Sequence, residues 1–144
     1  MSMAMTALVA SPIPTPQQIE AAAGVLGFDL SIDEAQTPLD AFGGFRPTTF
    51  GQPRPMQAGV EIYAENAQDF AQENGLQVDP SYVHAIWFRF GSRFEELYSA
   101  QVVCAALASL GGIVFSDEEG AYKTAQELAT EALSTLSFAK PSRP

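Results

Sequence analysis

Hydrophobic and polar positions are most sharply ordered over residues 84–120. At the start of that stretch they alternate. His84, Ile86, Phe88 and Phe90 fall on one side of an extended chain, with Ala85, Trp87 and Arg89 on the other, which is the period of a strand with two different faces. Ser92 and Glu95 then form an S-x-x-E capping box, which satisfies two backbone donors and predicts a helix from that point. Phe94, Leu97, Tyr98 and Gln101 begin it amphipathically, but residues 102–110 are apolar nearly all round. A helix of that kind lies beneath other elements. Gly111 and Gly112 stop it, residues 113–115 read as a second strand, and residues 117–120 as a turn.

The rest of the chain carries weaker versions of the same signals. Residues 7–10 are a short apolar strand candidate. Thr15 and Gln18 make another capping box with Pro16 at the first helical position, and Ile19, Ala22, Ala23 and Leu26 continue at helical spacing to Gly27. Phe28, Leu30 and Ile32 alternate with Asp29, Ser31 and Asp33 as a half-buried strand. Residues 36–57 hold prolines 38, 47, 53 and 55 and glycines 43, 44 and 51, which excludes interior helix and predicts a long loop. Loops of that length in compact domains are uncommon and often functional. Val60 and Ile62 resume a strand, residues 64–75 read as a polar helix ending at Gly75, and Thr124 with Glu127 opens a last helix carrying Leu128, Ala132, Leu133 and Leu136.

Two β-α-β units, at residues 7–33 and 82–116, with further pieces between and after them, predict the α+β class. The expected architecture is a ferredoxin-like or related two-layer sandwich, a mainly antiparallel sheet with helices on one face and right-handed crossovers. A doubly wound parallel sheet fits less well, because the first strand has no phosphate-binding glycine loop and the strands are not uniformly apolar. At 144 residues the chain is read as one domain over 1–144, with flexible ends at 1–5 and 138–144.

Charge narrows the partners. Seventeen acids against seven bases give a net charge of −10. Such a chain repels phosphate backbones and anionic membranes, so neither nucleic acid nor a membrane is expected, whereas a basic protein would be attracted and steered. The longest apolar run, residues 102–115, falls short of the roughly 20 residues of a membrane span. Residues 1–10 contain no Lys or Arg and so lack the charged region of a secretory signal; the expected location is the cytoplasm. The lone Cys104, within VVCAALASL, excludes an internal disulfide and a cysteine zinc site, and reads as a small core residue. No cofactor and no metal are expected.

No catalytic motif is present, and the single histidine, His84, shares the apolar face of its strand and reads as structural. The carboxylates are the stronger signal. Glu65, Asp69 and Glu73 recur at i, i+4 and i+8, on one side of the predicted polar helix, where like charges cost about 0.2–0.5 kcal/mol per pair. No Lys or Arg lies between Pro55 and Tyr82, and Glu61 extends the base-free stretch. Asp117, Glu118 and Glu119 form a second acidic group in a turn, without the spacing of an EF-hand loop. Within the proline-rich segment, Phe42, Phe45, Phe50, Arg46 and Arg54 are of the residue types enriched at binding hot spots. Trp87 with Arg89 and Arg93 has the makings of a stacking platform, which the net charge turns away from nucleic acid. The expected partner-binding residues are therefore Glu61, Glu65, Asp69, Glu73, Asp117, Glu118, Glu119, Phe45 and Arg46.

The C-terminal half, with its aromatic strand IWFRF, a helix ending AALASLGG, the strand IVF and the acidic turn SDEEG, resembles small acidic bacterial immunity proteins of type VI and other polymorphic toxin systems. About 50 of the 144 residues carry the resemblance, which is one of packing pattern. It implies a non-enzymatic inhibitor that covers the active site of a cognate toxin or effector, with carboxylates facing basic residues. No functional position transfers from it. The alternative is a small-molecule-binding or enzymatic α+β domain with a pocket near His84 and Trp87; a homodimer through the sheet edge or an aromatic face is a third arrangement.

Overall fold

Ten consecutive helical residues, 98–107, are buried, and the rest of the fold is arranged to cover them. They belong to helix α3 (Phe94–Ser109). On one side α3 packs against the sheet, and α1 (Pro16–Val25) and α4 (Ala125–Phe138) flank it. A computed structural model describes residues 3–33, 37–39, 43–91, 93–117 and 119–138, with only the backbone course of Phe138. Phe42, Ser92 and Glu118 lie outside the described residues, as do 1–2 and 139–144 of the expected flexible ends.

The sheet has seven strands: β1 (Met3–Val9), β2 (Leu30–Ile32), β3 (Gly44–Phe50), β4 (Met56–Asn66), β5 (His84–Phe90), β6 (Ile113–Ser116) and β7 (Ala121–Lys123). Their order is β2-β3-β4-β5-β1-β6-β7, and every neighbouring pair is antiparallel. The chain is thus an α+β two-layer sandwich, as its pattern predicts. Because neighbours alternate in direction, β5 and β6 run the same way, and α3 carries the chain from one to the other across β1. This is a split β-α-β unit, with the first strand of the chain inserted between strands of its second half. Met3, Ala4 and Met5 lie in β1, so the flexible end does not reach residue 5.

Strand alternation sorts the side chains. Met5, Ala7, Val9, Val60, Ile62, Ile86, Phe88, Phe90 and Val114 point to the helical layer and join one core. Leu8, Ala85 and Phe115 point the other way, to a second small core closed by Ala67 and Phe70 of helix α2 (Ala67–Glu73). Three helices therefore cover one face, and short α2 covers a corner of the opposite one. Cys104 is buried in the main core, and burial pushes its thiol far above the usual range, which is the behaviour of a packing residue.

Local signals explain the element ends. The boxes at Thr15–Gln18 and Thr124–Glu127 are both formed, each with reciprocal hydrogen bonds of 2.8–3.1 Å, worth about 1 kcal/mol per cap. The box expected at Ser92 falls on a residue outside the described ones; Arg93 holds the cap position without a side-chain bond, and Glu96 accepts the Gly91 N–H at 3.2 Å. The long loop of residues 36–57 is also corrected, since β3 and the start of β4 occupy much of it. Pro47 fits in β3 because its carbonyl faces β2, where it accepts the Asp33 N–H at 3.0 Å. N–H and C=O of one residue point to the same side in an antiparallel strand, so its missing donor faces the end of β2 and the ladder to β4 loses nothing.

The β2 edge is guarded. Residues 31 and 33 face β3, which turns the Ile32 N–H outwards, and there the Glu20 carboxylate of α1 accepts it at 2.7 Å. Unpaired edge donors invite pairing with another chain, and this contact blocks one. Glu20→Ala is expected to lower stability by about 1–3 kcal/mol and to introduce concentration-dependent association. Denaturant unfolding and sedimentation check both; an unchanged stability and a strictly monomeric variant would remove the guard role.

Candidate functional site

Beyond the corner closed by α2, the sheet face opposite the main core is uncovered by any described helix. Its side chains are set by strand register. Tyr63 on β4 lies directly across from Trp87 on β5, and Trp87 across from Thr6 on β1. The Tyr63 and Trp87 rings stack, with centroids 4.5 Å apart and planes 29° from parallel. Both are half-buried, while Thr6 beneath the face is fully buried. In the adjacent row Phe45, Glu61, Arg89 and Ala4 follow one another across four strands. Phe45 is half-exposed and its ring lies over Gly59, where a side chain would collide with it; a Cβ there would also stand 2.9 Å from the Arg46 carbonyl oxygen. Glycine at this β4 position is what lets the aromatic ring lie down on the sheet.

Carboxylates surround the stacked pair. Glu61 accepts the Tyr63 hydroxyl at 2.8 Å and faces Arg89 at 4.0 Å, so its charge is partly compensated. The Tyr63 hydroxyl is held above its usual pKa, chiefly by that bond. Glu65 follows two residues after Tyr63 on the same face. On the far side of Trp87, Asp117 accepts the Thr6 hydroxyl at 3.3 Å, and its backbone N–H binds the Ala4 carbonyl at 3.3 Å. Burial pushes Asp117 above the ordinary carboxylate range, and the Thr6 bond pulls the other way.

The predicted acidic helix is only partly a helix. Glu61 and Glu65 belong to β4, and α2 begins at Ala67 with Asn66 as its cap, so the i, i+4, i+8 spacing does not run along one helix face. Folding nevertheless brings three of the four acids together. Glu65 is raised above its usual value by burial and then by the neighbouring carboxylates of Glu73 and Asp69. Among the described residues none of the three has a cation partner. Several described bases are engaged elsewhere: Arg89 with Glu61, Lys123 with Glu119 and Glu131 at 2.5 Å each, Arg54 with the Leu136 carbonyl.

The remaining expected positions separate. Asp117 sits at the opposite end of the strands from Glu65, and Glu119 is tied up by Lys123. Glu118 lies outside the described residues. Arg46 is not a surface residue. Strand parity turns it inwards, fully buried, with Nε on the Asp33 carbonyl at 3.0 Å and a terminal nitrogen on the Thr37 carbonyl at 2.7 Å. Those bonds let a guanidinium stay buried, where an unsolvated charge would be expensive, and they fasten residues 33 and 37 to β3. Reading β3 as a loop hid that parity. His84 and Trp87 point to opposite faces of β5, so a single pocket does not join their side chains. The stacking of Tyr63 on Trp87 was missed; continuing the Val60–Ile62 alternation to residue 65 was the signal that could have found it.

Because the folded protein holds Glu65 above its unfolded value, its protonated form is favoured by folding. That contribution is full at acid pH and is lost as pH rises through the folded value, leaving a charged residue that weakens the fold at neutral pH. Glu65→Gln should therefore raise stability slightly at neutral pH, by about 0.5 kcal/mol or less, with the gain vanishing at acid pH. Denaturant unfolding at the two pH values checks this; a loss at neutral pH would mean that Glu65 is compensated. Set against known proteins, the chain matches no family model, no curated protein and no solved structure.

Proposed function

We propose that this chain is a non-enzymatic binding protein of the immunity type, which holds a basic cognate toxin or effector and covers its active site. The observation that carries the reading is the convergence of Glu65, Asp69 and Glu73 at one corner of the sheet, with no cation paired with them among the described residues. Like charges assembled without compensation weaken the fold slightly and gain their counter-charge when a basic surface arrives. The total charge of −10 adds long-range attraction for the same partner. No described helix is long and apolar enough to cross a membrane, and the reading goes with action in the cytoplasm, where a cell's own toxin would be intercepted.

The test uses the whole chain as bait in a lysate of the source organism, with the captured protein identified, purified and expressed alone and together with this chain. A basic protein whose toxicity is relieved by co-expression is expected. Replacing Glu65, Asp69 and Glu73 together by Gln should leave the fold intact. Association at low salt should slow roughly tenfold, with less difference at high salt. An unchanged association rate at low salt would remove these residues from the interface, and a partner with no toxicity to relieve would contradict the immunity reading.

A further inference from the structure

The acidic corner explains attraction but offers little apolar area for a lasting contact. The neighbouring sheet face does. It is aromatic at its centre and covered by no described helix beyond the α2 corner, with Tyr63 stacked on Trp87 and Phe45 half-exposed in the next row. Large aromatic residues ringed by polar groups are the usual composition of an interface centre. Its charge selects the occupant. Glu61 and Glu65 on β4 and Asp117 at the end of β6 lie around the pair, and of the three only Glu61 faces a guanidinium among the described residues, that of Arg89. A second copy of this chain would bring the same sign of charge to the same face, and a phosphate backbone would be repelled outright. A cationic side chain is attracted both by the carboxylates and by the faces of tryptophan and tyrosine. Arginine suits this better than lysine, since its planar, weakly hydrated guanidinium stacks on aromatic rings.

We propose that the uncovered sheet face is the docking platform for a basic protein segment, and that an arginine of that segment seats against the Trp87–Tyr63 pair inside the rim of Glu61, Glu65 and Asp117. This rests on the reading of the chain as a binder of a basic partner, and adds where the partner lands and which side chain anchors it. The acids at Asp69 and Glu73 then act at the margin, steering the approach, while the aromatic pair holds the bound state. Removing the margin slows association; removing the centre speeds dissociation.

Trp87 is the chain's one tryptophan, so its indole N–H gives a single, assignable resonance. The experiment titrates the full chain at low ionic strength with a short all-arginine peptide, and separately with an all-lysine peptide of equal length. The Trp87 indole signal and the heat of binding are followed together. The arginine peptide is expected to move the indole signal in proportion to binding and to bind more tightly than the lysine peptide. Trp87→Leu should weaken the arginine peptide by about threefold to thirtyfold, and Asp117→Asn or Glu65→Gln, which remove rim charge outside the stacked pair, should weaken it as well. Arginine binding that leaves the indole signal unmoved, or that is equal in Trp87→Leu, would overturn the platform while leaving the acidic corner as the binding surface. No binding by either peptide would overturn both. A concentration-dependent dimer that shifts the indole signal without peptide would assign the face to a second copy and overturn the proposal.

Discussion

The structure depends on one constraint, the burial of α3 on all sides over residues 98–107. A single sheet face can cover only one side of such a helix, so α1 and α4 must close the others, and three of the four helices are committed to one layer. The polar side chains within this stretch are anchored to the sheet where they can be. Ser99 pairs its hydroxyl with that of Thr48 at 2.9 Å and accepts the Gly59 N–H at 3.1 Å, which pins α3 to both β3 and β4. Tyr98 stacks edge-on against Phe28 and Phe50, and burial raises its hydroxyl to about 12. The inner faces of these three helices are thereby committed to the fold, and among the described helices the reverse of the sheet carries only seven-residue α2.

Much of that architecture was legible in the residues, for definite reasons. The β5–α3–β6 unit was read correctly because Ile86, Phe88 and Phe90 alternate cleanly and because nothing polar interrupts the apolar run that follows. Two capping boxes were found where threonine and a glutamine or glutamate stand three apart. β3 was missed for an equally physical reason. Proline and glycine densities signal loops, yet Pro47 stands where its absent donor would have faced the end of β2. β7 was missed because three residues in a hairpin leave no periodicity to read. Order in the sheet was out of reach, since the insertion of β1 between β5 and β6 is set by pairings as distant in sequence as Val9 with His84 and Met5 with Ser116.

The candidate site was half legible. Glu65, Asp69 and Glu73 do meet, though through a strand end and a short helix instead of the single helix face that their spacing suggested. Glu61 departs from the group, because its register brings Arg89 across the sheet to it. That base lies outside the stretch free of Lys and Arg, and only strand pairing introduces it. Arg46 shows the same limit from the other side: in a loop a charged residue can face a partner, whereas in β3 its parity makes it a buried tie. Tyr63, Trp87 and Asp117 come together only through three strand pairings, so no local pattern could place them around one point.

The account stands on division of labour between two faces of one sheet, one consumed by the fold and one presenting aromatic rings inside a carboxylate rim. A crystal structure of the chain bound to its captured partner tests this most directly. The account predicts that Tyr63, Trp87 and Asp117 are covered, with an arginine of the partner against the indole, while the outer surfaces of α1 and α4 stay in solvent. A complex joined through α1 and α4, with the sheet face left open, would contradict it.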